Sequence, residues 1–282
     1  MHQVNINLKH RPYSFEVEGE NKWGEDHLEI ANDDDLSKNT VFEKTGYTLS
    51  KFLSKDDCAK LRLNLQDIIS SELKKITGKI LNRDELLNYH EFLTNIEHLD
   101  FVKSVYKNNS EYGSGFKFEL IKEFRDKIIN KISEICGVEV TPKLKNAKHG
   151  RFYIRIARPQ NDKSFFDNNP PHKDIYIDRL RNAVNIYFPV IGSNEKSSLG
   201  IIPYSHKWKE NEIKKIITKS TIKGLSYTVP CITDTKHGGL NIIRPQANNN
   251  EVFLFSPYCI HGGAPNFSNN TRISMEVRFW RA

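Results

Sequence analysis

Apolar residues recur at helical spacing in the first half of the chain and at alternate positions in the second half. Leu61, Leu65, Ile68, Ile69 and Leu73 share one helical face. Ser54 precedes them as an N-cap, Asp56 and Asp57 occupy the first turn, and Gly78 ends the run. Weaker helical patterns cover 83–98 and 118–136, and Gly137 stops the second. After Pro142 the period drops to two. GRFYIRIARP, NAVNIYFPV, SLGIIP, LSYTVP, GLNIIRP, EVFLFSP and RISMEVRFW read as short strands separated by Pro and Gly. One helical stretch, 208–219, interrupts the series. Many short strands with turn signals predict a sandwich, jelly roll or barrel, with the N-terminal helices covering one outer face. The expected fold class is mainly β with a helical layer.

The same pattern divides the chain. Residues 1–45 are polar, include the acidic run Asp33-Asp34-Asp35, and read as an arm or irregular lead-in, although Val4, Ile6 and Leu8 alternate like an edge strand. Residues 46–282 read as one domain, with mostly helical support over 46–141 and a β core over 142–282. A length of 282 residues suffices for a substantial core.

Composition narrows the function classes. The net charge of +7 is modest and the basic residues are scattered, so no nucleic-acid-binding run is present and a mild preference for anionic small molecules is the expectation. No segment approaches the roughly 20 apolar residues of a membrane span. Cys58, Cys136, Cys231 and Cys259 are widely spaced and form no C-x-x-C pair, which predicts a reducing, cytoplasmic setting.

The chemistry is carried by His172-Lys173-Asp174 and by His261, which two glycines follow. In extended backbone His172 and Asp174 point to the same side. Two imidazoles and one carboxylate suit a facial iron(II) site that leaves the opposite positions open. H-x-D alone is common by chance, and a surface histidine beside a capping aspartate is the plain alternative. The last strand adds weight. Arg272 and Ser274 alternate with Ile273, Met275, Val277 and Phe279, so an apolar face toward the helices turns Arg272 and Ser274 inward. An inward arginine requires an anion. A guanidinium fork matches a carboxylate, so a dicarboxylate chelating a metal with its other end would satisfy it. A salt bridge to Glu276 is the alternative.

In that order, HKD, GIIPYSHK and HGGAPNFSNNTRIS resemble the phytanoyl-CoA dioxygenase-like enzymes. The family pattern is H-x-D, a PGSH-like turn, a distal His, and an Arg about ten residues beyond it. Tyr204 stands where the family usually has Gly. GYTLSKFLSKDDCAKL resembles the family's opening strand and helix, and the likeness spans residues 46–280. The resemblance implies a double-stranded β-helix (jelly roll, cupin-like) and an iron(II)- and 2-oxoglutarate-dependent oxygenase using O2. By motif, His172, Asp174 and His261 would hold iron. Arg272, with Ser274, would hold the distal carboxylate of 2-oxoglutarate, and Tyr153, Arg155 and Asn185 are candidates for its other end. Halogenating relatives lack the carboxylate ligand, so Asp174 favours hydroxylation. Desaturation, cyclisation and epimerisation are same-family alternatives. A zinc hydrolase and a non-catalytic ligand-binding β-helix protein are the readings outside it.

Arg158, Tyr176 and Arg179, on either side of the triplet, and Lys173 within it suit a small polar, anionic substrate, such as a carbohydrate or amino-acid derivative. RPQNDKSFFDNNPP, between Ala157 and His172, reads as a lid. His206 reads as a structural residue of the YSHK turn, and His149 and His237 as loop residues.

Overall fold

The computed structural model describes residues 1–9, 11–29, 35–106, 115–160, 167–217, 220–222 and 225–282. Part of the expected lid, 161–166, lies outside them, as do Asp33 and Asp34. The chain opens with β1 (His2–Leu8), β2 (Tyr13–Val17), β3 (Asn21–Trp23) and β4 (Tyr47–Lys51). A helical section follows: α1 (Lys55–Thr77), α2 (Arg83–Leu87), α3 (Tyr89–Phe92), α4 (Asn95–Tyr106), β5 (Phe116–Lys117) and α5 (Lys122–Cys136). The remainder is β: β6 (Val140–Thr141), β7 (Arg151–Ala157), β8 (Ala183–Ile191), β9 (Ile213–Ile216), β10 (Ser220–Ile222), β11 (Leu225–Tyr227), β12 (Ile232–Thr235), β13 (Leu240–Ile242), β14 (Glu251–Phe255) and β15 (Arg272–Arg281). The protein is thus β-rich with a helical section, and no helix among the described residues is long and apolar enough to cross a membrane.

Local chemistry sets the helices. The Ser54 Oγ accepts from the Asp57 N–H at 3.0 Å, and Gly78 closes α1 in the left-handed region at φ +72°. The buried stripe is Cys58, Leu61, Leu65, Ile69 and Leu73. Phe124, Ile128, Ile132 and Cys136 form the matching stripe of α5. The single helix expected over 83–98 is instead α2, α3 and the start of α4. An Asn82–Glu85 capping box starts α2, and the Thr94 N–H and hydroxyl both donate to Glu97 at the α4 start.

Seven strands make the main sheet, ordered β4-β14-β8-β15-β7-β5, with β6 beside β15. Alternation assigns its two faces. Ile273, Met275, Val277 and Phe279 pack with Phe152, Ile154, Val184, Ile186 and the helical stripes in one core. The other face presents Tyr153, Arg155, Arg272, Glu276 and Arg278 to a cavity of about 1060 Å³.

One expectation gains detail and another is overturned. The N-terminal lead-in, where Val4, Ile6 and Leu8 suggested an edge strand, carries β1, β2 and β3: β1 lies between β13 and β2, and β3 pairs with β9. Val4, Ile6, Phe15 and Val17 are buried with Leu240 and Ile242 in a second core. A polar stretch conceals this because only every second residue is buried and the partner strand is more than 200 positions away. The helix expected over 208–219 is a 3-10 turn, Glu210–Glu212, followed by β9. Its isoleucines at 213 and 216 mimic a helical period, but β-branched side chains suit the strand paired to β12.

Candidate metal centre and cavity

His172 and His261 are joined by an antiparallel bridge, His172 N–H to His261 O at 3.0 Å and His261 N–H to His172 O at 2.9 Å. This brings the two rings to 4.3 Å between centroids. Lys173 is extended, so side chains alternate across the triplet. Lys173 therefore points away from the cavity, where its buried Nζ donates to Glu210 at 3.0 Å. Asp174 points back and begins a 3-10 turn. The glycines after His261 make this approach possible. A Cβ on Gly262 (φ +83°) would sit 3.1 Å from the Asn169 and Pro170 carbonyl oxygens and 3.3 Å from His172 Nδ1, and one on Gly263 would collide with the Pro171 ring.

The donor atoms of His172, Asp174 and His261 lie within 4.8 Å of one another, all buried. His172 Nδ1 faces the Pro170 carbonyl at 2.8 Å and His261 Nδ1 faces the Cys259 carbonyl at 3.0 Å. A proton on each Nδ1 leaves both Nε2 lone pairs facing Asp174 Oδ1, 3.5 and 3.9 Å away. Burial, followed by the neighbouring His172, pushes the His261 pKa down to about 4, so that ring is neutral at pH 7. Burial acts to raise the Asp174 pKa, but Arg278, His261 and His172 outweigh it and hold the carboxyl well below its ordinary range. The arrangement offers two imidazole nitrogens and one carboxylate oxygen, a donor set that fits a divalent metal.

The second Asp174 oxygen has its own partners. Oδ2 accepts from Asn185 Nδ2 at 2.9 Å and from Arg278 Nη2 at 3.0 Å. Asn185, a candidate co-substrate residue, is thereby occupied by the metal-site carboxylate. Its side chain holds Oδ2 so that only Oδ1 faces the histidines. Asn185→Ala should therefore weaken iron(II) or cobalt(II) binding roughly 10–100-fold in a metal-competition titration. An unchanged affinity would show that Arg278 alone orients the carboxylate.

Arg272 is buried, with its Cζ 5.8 Å from the centre of the Tyr187 ring. Its Nε and the Ser274 Oγ are buried without hydrogen-bond partners. Among the described residues no carboxylate pairs with Arg272, because Glu276 is taken by Arg155 at 3.0 Å. A second guanidinium, Arg244, lies near enough that burial and then the Arg272 charge push its pKa down to about 9. Among the described residues, neither guanidinium has a carboxylate partner.

Tyr153, Arg155, Tyr176 and Arg179 all line the same cavity as the triad. Arg158 does not. It is buried in a network in which Nε and Nη2 donate to the two Asp167 oxygens at 2.8 Å each, and Nη1 to Asn95 at 2.7 Å. His98 Nε2 meets Asp167 at 3.0 Å, and its Nδ1 meets the Tyr89 hydroxyl at 3.0 Å. Arg158 ties the end of β7 to α3 and α4, so its expected role toward substrate gives way to a structural one. His206 Nε2 meets the Glu43 carbonyl at 2.8 Å, and His237 stacks on Trp208. Tyr204 sits in the left-handed region at φ +66°, a conformation that favours glycine. The four cysteines are free and buried.

Sequence reasoning did not single out Arg278. The signal was available, since Arg278 continues the even-numbered face of β15 that carries Arg272 and Ser274.

No family model and no curated protein sequence matches the chain. Solved structures similar to it include EctD from S. alaskensis with 2-oxoglutarate and 5-hydroxyectoine, 13% identical with a TM-score of 0.48, over 94% of this chain and 84% of that one. AviO1 from Streptomyces viridochromogenes Tue57 is 13% identical with a TM-score of 0.47, over 90% and 96%. ThoJ, a non-heme monooxygenase, is 12% identical with a TM-score of 0.45, over 88% and 77%. At these values the likeness bears on neither the reaction nor any residue of this chain.

Proposed function

We propose that the chain is an iron(II)- and 2-oxoglutarate-dependent oxygenase, built on a double-stranded β-helix of the phytanoyl-CoA dioxygenase-like kind, that hydroxylates a C–H bond of a small polar metabolite. The observation that carries the reading is the buried His172–Asp174–His261 cluster opening onto a cavity that also holds the unpaired Arg272. Iron(II) with 2-oxoglutarate and O2 would supply the oxidising chemistry. The residues supply position. His172 and His261 would present Nε2 and Asp174 would present Oδ1. Arg272 and Ser274 would bind the far carboxylate of 2-oxoglutarate, which satisfies their two orphaned atoms. Tyr153 and Arg155 line the cavity as further contacts for co-substrate or substrate. The Phe255 ring, 4.9 Å from that of His261, covers one side of the cluster against water. Asp174 fills the position that halogenating relatives leave to chloride, which favours hydroxylation. A zinc hydrolase with the same ligands would leave Arg272 and Ser274 without a purpose.

The test is an anaerobic titration with iron(II) and 2-oxoglutarate, following the charge-transfer band near roughly 500 nm expected of such a chelate. Wild type should develop the band. Arg272→Leu should need roughly 10–100 times more 2-oxoglutarate, as loss of a charged hydrogen-bonding partner implies. Absence of the band in wild type overturns the reading, and its survival in the His172→Ala/Asp174→Ala double variant overturns the ligand assignment.

A further inference from the structure

Among the described residues, the cavity beside the triad is lined by more cationic than anionic side chains. Arg155 is matched by Glu276 at 3.0 Å. The Arg278 partner is Asp174, which the proposed metal also uses. The inference rests on the oxygenase reading. There, a divalent ion is balanced by Asp174 and by one carboxylate of 2-oxoglutarate, and the other carboxylate balances Arg272. Asp174 is then shared between the ion and Arg278, and among the described residues no other acid pairs with Arg278.

Its surroundings make that charge consequential. The Arg278 side chain is 18% exposed and lines the cavity. Its Cζ lies 5.9 Å from the centre of the Tyr153 ring, and its Nε is buried with no acceptor among the described residues. A largely buried cation that shares its counter-charge with a divalent ion is only partly compensated, so an anion entering the cavity is favoured beside it. At the rim the exposed Lys117, Lys148 and Arg179 line the same cavity and draw anions inward. We propose that Arg278 seats an anionic group of the substrate, a carboxylate or a phosphate, beside the metal triad. The substrate class is then an organic acid or a phosphate ester. A neutral sugar or alcohol would leave that charge only partly compensated. Arg278 is at once a support for Asp174 and a determinant of specificity.

The test uses protein saturated with iron(II) and 2-oxoglutarate under argon, titrated calorimetrically at fixed ionic strength with acetate, inorganic phosphate and neutral acetamide. Wild type should bind acetate or phosphate saturably and acetamide not at all, and the tighter anion names the group. Arg278→Gln should weaken that binding about tenfold or more, while the 2-oxoglutarate midpoint of the charge-transfer band stays within about twofold. Arg278→Lys keeps the charge without the fork and should fall between. If Arg278→Gln fails to retain iron, the lysine variant carries the comparison. Three results overturn the proposal: no saturable anion binding in a wild type that forms the band, anion binding unchanged in the variants, or a 2-oxoglutarate midpoint shifted as far as the anion affinity. A wild type without the band overturns the oxygenase reading and this inference together, which keeps the two failures distinct.

Discussion

Asp174→Ala should abolish iron(II) binding and turnover together. The loss in metal affinity should exceed the roughly 10–100-fold that removal of an outer hydrogen-bond partner costs. The variant removes Oδ1, the oxygen facing both Nε2 atoms at 3.5 and 3.9 Å. It also removes Oδ2, the acceptor for Asn185 and Arg278. Arg278 then becomes a largely buried cation without its partner, so the metal-free variant should be less stable than metal-free wild type, by up to about 3–5 kcal/mol. Chelator-treated protein in a urea titration measures the second effect, and cobalt(II) absorption measures the first. Asp174→Asn separates them: it keeps an acceptor for Asn185 but supplies a far weaker metal ligand. If Asp174→Ala binds cobalt(II) like wild type, the triad is not a metal site.

The second large effect lies outside the metal centre. Asp167→Ala should cost about 3–5 kcal/mol of stability, because it strands Arg158 in a buried setting. For a chain of this size that corresponds to a fall in Tm on the order of 10 °C. Burial acts to raise the Asp167 pKa, but hydrogen bonds from His98 and Arg158 outweigh it and lower it. A carboxyl with a depressed folded-state pKa contributes stability above its unfolded value, about 3.9. That contribution is lost as pH falls through the lower, folded value. The gap in stability between wild type and Asp167→Asn should therefore be full at pH 6 and shrink below about pH 4. Urea titrations across that range decide it. A gap that widens on acidification would mean that the Asp167 carboxylate is not the stabilising partner. In the same network, Arg158→Ala should lower stability while leaving the anion affinity of the cavity intact, the opposite of Arg278→Gln.

Arg158 and Arg278 show where the sequence was legible and where it was not. The alternation along β15 put Arg272 and Ser274 on one face and four apolar residues on the other, and the sheet keeps that division because side chains in a strand must alternate. The triplet's geometry was equally local: an extended Lys173 places His172 and Asp174 on the same side. Choosing which cation serves the cavity was not local. Arg158 stands close to the triplet in sequence, yet Asp167, His98 and Asn95 enclose it. Arg278 stands 104 positions from Asp174 and touches it. A charged residue pairs with whichever counter-charge the fold brings near, and the pattern of neighbouring residues does not contain that information.

The strands β1 and β9 divide the same way. Caps, glycine stops and the periods of α1 and α5 were determined by the sequence itself, since each acts within one or two turns. The sequence also determined that His172, Asp174 and His261 had the chemistry of a metal site. Only the tertiary structure decided that β1 inserts between β2 and β13, and that β9 is a strand although its isoleucines recur with a helical step. It alone decided that the His172–His261 bridge gathers the three donors. These are pairings between distant segments, stabilised by burial and backbone hydrogen bonds that exist only once both partners are in place.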